Sequence, residues 1–244
     1  MASSCSPLTS AISTAKGALT IGDDRAVRNV ILPGVLQPPS DCWLLADVIR
    51  ERGLARGTTV LDVFTGSGAL AVAAALEGAR AVTAVDLSRR AILNTRLNAG
   101  LNRVPVRALR GDLFAPVRGQ RFDLIVANPP YVPSAGEELP TRGIARAWDA
   151  GVDGRALLDR LCAEAASHLA VGGSVAIVQS SLSGEAATLA RLAATGLAPE
   201  VLARRRGPLG PIASARAEML QRRGLLAPGE REEELLVVSA TASA

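Results

Sequence analysis

The chain has 244 residues, a formal net charge of +4 and 48% hydrophobic residues. That length suits one medium domain with a full α/β core. Although mean hydropathy is +0.25, no apolar run approaches the ~18 residues that a membrane-spanning helix needs. The basic balance is carried almost wholly by arginine, Lys16 being the only lysine, and is compatible with nucleic-acid or ribosomal partners without demanding them.

The opening Met1–Cys5 has no basic segment followed by an apolar one, so no signal peptide is expected. Cys5, Cys42 and Cys162 are scattered singly, which offers neither a disulfide framework nor a metal knuckle. A reducing cytoplasm is the expected compartment. Residues 1–40 read as a short N-terminal extension broken by Pro33, Pro38 and Pro39. From Asp41, Cys-Trp-Leu-Leu-Ala-Asp-Val-Ile-Arg reads as a helix with Asp41 as its N-cap, and 41–244 reads as one domain.

Short Val/Ile/Leu-rich segments near 59–64, 81–86, 105–110, 122–127 and 173–179 predict strands. Between them, Ala and Leu at i, i+3, i+4 spacing predict helices near 69–77, 88–99, 153–169 and 183–195. Such alternation implies a doubly wound, mostly parallel Rossmann-like sheet covered on both faces. A candidate strand at 201–204 and a last strand at 235–239 enclose an irregular stretch, with a helix expected at 213–222. We read about 207–232 as an insertion too short to own a core, and the Arg204–Arg206 run as a solvated face, with contact to an acidic or RNA-bearing partner as the alternative.

The segment Asp62-Val-Phe-Thr-Gly-Ser-Gly68 sits where a buried strand gives way to a helix. Glycine lets backbone approach a ligand closely, and a helix start presents free N–H donors. Asp62, Phe64, Thr65, Gly66, Ser67 and Gly68 are therefore candidate cofactor contacts, although the spacing is not the GxGxxG of dinucleotide folds. Asp86, ending the second strand with Leu87 beside it, is placed to accept a ribose diol. Asp112, followed by Leu113 after the third strand, is placed to reach an adenine edge. The alternative makes Asp86 and Asp112 caps or turn residues.

The most informative stretch is Phe122-Asp-Leu-Ile-Val-Ala-Asn-Pro-Pro-Tyr131. A buried strand ends there on Asn128, Pro129, Pro130 and Tyr131, at the carboxyl edge where open α/β sheets place ligands. Amide and exocyclic-amine nitrogens are poor nucleophiles because their lone pairs are conjugated. A site that moves a methyl group onto such a nitrogen needs fixed acceptors for its hydrogens. The Asn128 side-chain carbonyl and the Pro129 backbone carbonyl are the candidates, held by prolines that restrict the backbone. Tyr131 offers a flat face for a planar group.

These residues resemble class I S-adenosylmethionine-dependent methyltransferases, and the tetrapeptide resembles the Asn-Pro-Pro-Tyr of enzymes acting on planar nitrogens. The segments Gln37-Pro-Pro-Ser-Asp-Cys-Trp-Leu-Leu45 and Ala147-Trp-Asp-Ala-Gly-Val-Asp-Gly-Arg-Ala-Leu-Leu-Asp159 resemble the HemK/release-factor glutamine methyltransferase family, in particular its HemK2/Mtq2 branch. The resemblance implies a seven-stranded sheet and S-adenosyl-L-methionine as cofactor. It further implies a release factor, through its Gly-Gly-Gln loop, as protein substrate, and a possible small zinc-binding activator subunit. Cys42 stands where that branch usually has a threonine near the cofactor, Leu36 replaces a usual aromatic, and Phe64 stands where the usual pattern has a further glycine.

Rival readings are N6-adenine methylation of DNA or RNA, N-methylation of a small metabolite, and a binding module without catalysis. Nucleic acid is disfavoured because a flipped base needs additional surface, and no membrane association is expected. His168 lacks partners at ligand spacing and reads as a helix-end residue, so no metal site is expected. Trp148 could wall the substrate pocket or serve packing.

Overall fold

The computed structural model describes residues 18–21 and 25–242; the Met1–Cys5 opening, with Cys5, and Lys16 lie outside the described residues. A two-stranded antiparallel hairpin, β1 (Ala18–Ile21) and β2 (Arg25–Arg28), comes first, where the sequence suggested only an irregular extension. Then follow α1 (Ser40–Glu51), β3 (Thr59–Val63), α2 (Ala69–Leu76), β4 (Ala81–Asp86), α3 (Arg89–Asn102), β5 (Arg107–Arg110) and β6 (Phe122–Ala127). The chain closes with α4 (Ala156–Ala165), β7 (Leu169–Ser180), α5 (Glu185–Ala193), β8 (Leu197–Pro208), α6 (Pro211–Ala215), α7 (Ala217–Arg222) and β9 (Glu232–Ala242).

Seven strands form one sheet in the order β5-β4-β3-β6-β7-β9-β8. β5, β4, β3, β6 and β7 pair in parallel, and β9 runs antiparallel to both β7 and the edge strand β8. This is the Rossmann-like sheet expected, and its order reverses between β3 and β6, the switch point where such sheets hold ligands. The central strands are apolar on both faces because both are covered. Val60, Leu124 and Val126 face α1 and α2, whereas Leu61, Ile125 and Ile177 face the α4–α5 side. Leu61 and Ile125 are fully buried, so truncation of either to alanine should cost about 2–5 kcal/mol.

Three local expectations change. The N-cap of α1 is Pro39, not Asp41; Asp41 lies inside the first turn and its carboxylate is used elsewhere. The last three strands are longer than their apolar cores, since β8 and β9 extend as a two-stranded ribbon through Pro208 and from Glu232. In that ribbon Arg204 meets Glu185 and Glu234, and Arg206 meets Glu230 and Glu232. All three arginines are exposed, as a solvated face predicts, with Arg204 and Arg206 paired to acids there and Arg205 donating to the Ser40 carbonyl. The insertion between them folds as the short helices α6 and α7 in place of one helix. Its Leu209, Ala213, Ala217, Leu220 and Leu226 bury a small apolar cluster against Leu182 of the main body, more of a core than its length suggested.

Candidate functional site

The carboxyl ends of β3, β4 and β6 open into one cavity of about 1050 Å³, large enough for a cofactor and a substrate side chain together. The loop after β3 turns sharply. Phe64, Gly66 and Gly68 all have positive φ, at 63°, 54° and 85°. A Cβ on Gly68 would stand 2.8 Å from the Thr95 Cα of α3, so close packing of that helix demands the glycine. Phe64 adopts the same left-handed region at a cost of about 1 kcal/mol or more, and that strain accounts for the glycine more usual in the resembled pattern.

Asp62 lies behind this loop, fully buried. Its Oδ2 accepts from Thr65 Oγ1 at 2.6 Å and from the Ala71 N–H at 3.0 Å, while Oδ1 has no partner. Burial, against those two bonds, pushes its carboxyl up to about 7. Asp62 and Gly68 were expected to touch a cofactor. Neither lines the cavity, and both instead shape the loop that does, through Phe64, Thr65, Gly66 and Ser67.

Asp86 ends β4 with its carboxylate on the cavity. It accepts the Gly66 N–H at 3.0 Å and the Ser88 N–H at 2.7 Å, and burial raises its pKa despite them. The cap of α3 is Ser88, which accepts from the Ala91 N–H. Asp86 is therefore not the cap, but its bond to the N–H two residues on is an Asx turn, so the turn half of the alternative holds alongside the cavity position. Leu87 and Leu113 line the same cavity. Asp112 does too, but Arg160 grips both its oxygens, at 2.7 and 3.4 Å, and about half of its side chain is exposed. A direct reach to an adenine edge would compete with that pair.

At the end of β6 the four residues Asn128, Pro129, Pro130 and Tyr131 line the cavity beside Asp41 and Cys42. Asp41 is buried. One of its oxygens accepts from Asn128 Nδ2 at 3.1 Å and from the Cys42 N–H at 2.5 Å. The other accepts the Tyr131 hydroxyl. Burial raises the Asp41 pKa against these bonds, and burial, reinforced by Asp41, drives the Tyr131 phenol well above its ordinary value. Tyr131 is thus a neutral donor, and the Asn128 amide is held by its nitrogen. Burial also pushes the Cys42 thiol up, so it is an uncharged wall. The sequence reading missed this role of Asp41 because a local cap fitted the same residue.

A second missed feature ties the N-terminal arm to the site. Asn94, Asn98 and Asn102 lie at i, i+4, i+8 on α3, and their side chains hydrogen-bond the backbone of residues 28–32. The N–H groups of Leu32, Val30 and Arg28 donate to the respective Oδ1 atoms at 2.7, 2.9 and 2.8 Å. Asn98 also donates to the Ser67 carbonyl at 2.9 Å, so one side chain joins the arm to the glycine loop. Asparagine on the buried face of a helix was the available signal. Beyond the arm, Gly34, Leu36 and Pro38 form part of the cavity wall.

The opposite wall includes Trp148. Its segment pairs with the residues after Tyr131: the Val132 N–H donates to the Trp148 carbonyl at 2.8 Å, and the Ser134 N–H to Gly151 at 2.8 Å. His168 stacks on Phe114 with ring centroids 4.5 Å apart, away from the cavity. No helix among the described residues is long and apolar enough to cross a membrane, and no cluster of metal-ligating side chains occurs among them.

The residues present fit a nucleoside carrying a cationic, partly apolar tail. Asp86 faces the cavity with lone pairs to spare. Gly66 is open toward it, only the Phe64 carbonyl lying within 4 Å of a would-be Cβ, at 3.9 Å. Apolar surface from Val85, Leu87 and Leu113 completes the wall.

Similarity to known proteins bears on the family and the fold. Residues 41–147 match the family model described as "Methyltransferase small domain". The chain is 36% identical over 176 residues to a Methanocaldococcus jannaschii protein named for protein N5-glutamine methyl transfer, covering 72% of this chain and 87% of that one. It is 38% identical over 174 residues to the release factor glutamine methyltransferase of Gloeobacter violaceus, covering 66% of this chain and 59% of that enzyme. Among solved structures, the Mtq2–Trm112 complex of E. cuniculi, described as methylating the termination factor eRF1, aligns with a TM-score of 0.58 and 22% identity, over 86% of this chain and 99% of that one. At that identity the likeness shows the fold.

Proposed function

We infer, because the chain belongs to the HemK/release-factor glutamine methyltransferase family, that it is an S-adenosylmethionine-dependent protein-glutamine N5-methyltransferase. The observation that carries the reading is the Asp41–Asn128 hydrogen bond at the cavity's end. A carboxylate only accepts, so it takes the Asn128 amide by the nitrogen and leaves Oδ1 as the group available to a substrate. Asn128 Oδ1 and the Pro129 carbonyl then accept the two hydrogens of a primary amide, orienting the nitrogen lone pair and favouring the charge that develops on it. Tyr131 stacks on the amide plane. When bound, S-adenosylmethionine supplies the methyl group as a sulfonium electrophile. Asp86 would hold the ribose, and Phe64, Thr65, Gly66 and Ser67 the methionine side.

Relatives named as release factor glutamine methyltransferases favour a release factor as the substrate, and its Gly-Gly-Gln loop is the target in this reading. Such a loop enters a pocket directly, whereas a duplex adenine must first be unstacked at a cost of a few kcal/mol. The pairing of Arg204 and Arg206 with four glutamates also removes the densest basic run from a role in gripping phosphates. A small activator subunit belongs to the same reading. Leu93, Leu97 and Leu101 are exposed on α3, beside the edge strand β5, and offer an apolar surface for one.

Purified enzyme would be offered a release factor, its loop Gln→Ala variant, and adenine-containing single- and double-stranded oligonucleotides, each with and without a candidate activator. A mass shift of one methyl group on the release factor, absent from the Gln→Ala variant, is the expected result. Methylation of an oligonucleotide with none on the protein would overturn the reading in favour of adenine.

A further inference from the structure

The insertion between β8 and β9 reaches across the molecule to the segment that follows Tyr131. Arg216, between α6 and α7, pairs with Asp149 at 2.6 Å and donates to the Pro133 carbonyl at 2.9 Å. The pair is sheltered, with side-chain exposures of 26% for Arg216 and 14% for Asp149. Arg223, just after α7, donates to the Ser134 carbonyl at 2.7 Å, to Ala135 at 2.8 Å and to Val152 at 3.2 Å. Two guanidinium forks thus bridge both strands of the small backbone unit formed by 131–135 and 148–152.

That unit carries Tyr131 at one corner and Trp148 at another, both on the cavity. It is closely packed: Gly154 passes the Tyr131 carbonyl where a Cβ would stand at 2.3 Å. Four of its carbonyls, those of Pro133, Ser134, Ala135 and Val152, are taken up by these arginines. The insertion also lines the cavity itself through Gly210, Pro211 and Ile212. Glu233 of β9 accepts the Gly210 N–H at 2.7 Å and fixes the start of α6 there. Arg216, Arg223 and Glu233 make their hydrogen bonds and ion pairs away from the glycine loop and Asp86.

We propose that the insertion is the acceptor-side clamp of the enzyme, in which Arg216 and Arg223 are positioning residues that set the Tyr131–Trp148 wall against which the substrate amide is placed. The inference rests on the methyltransferase reading above. Its consequence is a division of labour: the arm and glycine loop govern cofactor affinity, while the β8–β9 insertion governs acceptor capture. A planar guanidinium suits the task because it satisfies two or three carbonyls from fixed directions, and a displaced wall penalises a reaction that depends on alignment.

The test compares Arg216→Met, Arg223→Met and the conservative Arg216→Lys in the full chain. Steady-state methylation of a release factor should show acceptor KM raised about tenfold or more in each Met variant, with a smaller fall in kcat. S-adenosylhomocysteine affinity should stay within about twofold by calorimetry, since cofactor contacts are untouched. Arg216→Lys retains the charge opposite Asp149 and should recover part of the KM loss. Hydrogen exchange should quicken at 132–134 and 148–152 and not at 64–68. Unchanged KM, or cofactor affinity falling in step with acceptor affinity, would overturn the clamp. If the wild type methylates no acceptor offered, the functional reading fails by itself. Exchange then decides the clamp, and unaltered protection at 132–134 and 148–152 would overturn it.

Discussion

The carboxylate of Asp41 and the side-chain amide of Asn128 lie 3.1 Å apart, although 86 residues separate them along the chain. An amide alone has no preferred way round; an acceptor-only neighbour gives it one. The first turn of α1 therefore sets the direction of the group at the end of β6, and the tetrapeptide depends on a residue outside it.

Asp41→Asn should consequently lower methyl transfer by about tenfold or more, because two amides can pair in either orientation, while Asn128→Ala should cost roughly a hundredfold. Cofactor affinity should hardly change in either. Burial raises the Asp41 pKa, and three donors require its ionised form. The acid limb of the pH–rate profile should therefore lie above the ordinary carboxylate range and vanish in Asp41→Asn. Single-turnover rates across pH measure both effects; an unchanged acid limb in the variant would assign it to another group.

Asp86→Ala should weaken S-adenosylhomocysteine binding by about 1.5–3 kcal/mol if the ribose bonds are charge-assisted. The same carboxylate holds the Gly66 N–H at 3.0 Å, so part of the loss comes from a looser glycine loop. Asp86→Asn keeps one acceptor and should fall between. Calorimetric titration reads this directly, and wild-type affinity in Asp86→Ala would remove the residue from the site.

The parts legible in the sequence were those governed by local periodicity. The central strands and helices follow from short apolar runs and i, i+4 spacing, and the tetrapeptide identified itself by composition. What could not be read was long-range. Asp41 satisfied the rules of a helix cap, and only the fold shows its carboxylate turned to Asn128. Asp62 and Gly68 belonged to a plausible contact loop, yet face inward because α2 and α3 pack behind it. Of β8 and β9 only 201–204 and 235–239 were legible, because the charged Arg204–Arg206 and Glu232–Glu234 look unlike strands; in the ribbon Arg206 faces Glu234, while Arg204 and Arg205 face Leu236 and Leu235.

The asparagine ladder makes a prediction that separates the arm from the chemistry. Asn98→Ala removes the acceptor of the part-buried Val30 N–H and the donor to the buried Ser67 carbonyl, leaving both unpaired at a cost of about 1–3 kcal/mol. Thermal midpoint and S-adenosylhomocysteine affinity should fall together. Asn102→Ala, at the exposed end of the ladder, should cost less in both. Equal effects at the two positions would mean that the ladder does not transmit to the glycine loop.

Asp62 gives the clearest dependence of stability on pH. Its carboxyl is pushed from 3.8 to about 7 in the folded chain, so the native state favours its protonated form. A raised folded value means that the contribution is fully present below the unfolded pKa, near 4, and is lost as pH rises through about 7. The whole span corresponds to about 4 kcal/mol. The bonds from Thr65 and Ala71 to Oδ2 leave Oδ1 as the buried atom that loses most by ionising. Asp62→Asn cannot ionise and keeps an acceptor for both donors. It should therefore show a flatter profile of unfolding free energy between pH 5 and 8 than the wild type, crossing above it at the alkaline end. Urea unfolding without cofactor, repeated at several pH values, provides the measurement, and parallel profiles for the two proteins would show that Asp62 is ionised at no cost to the fold.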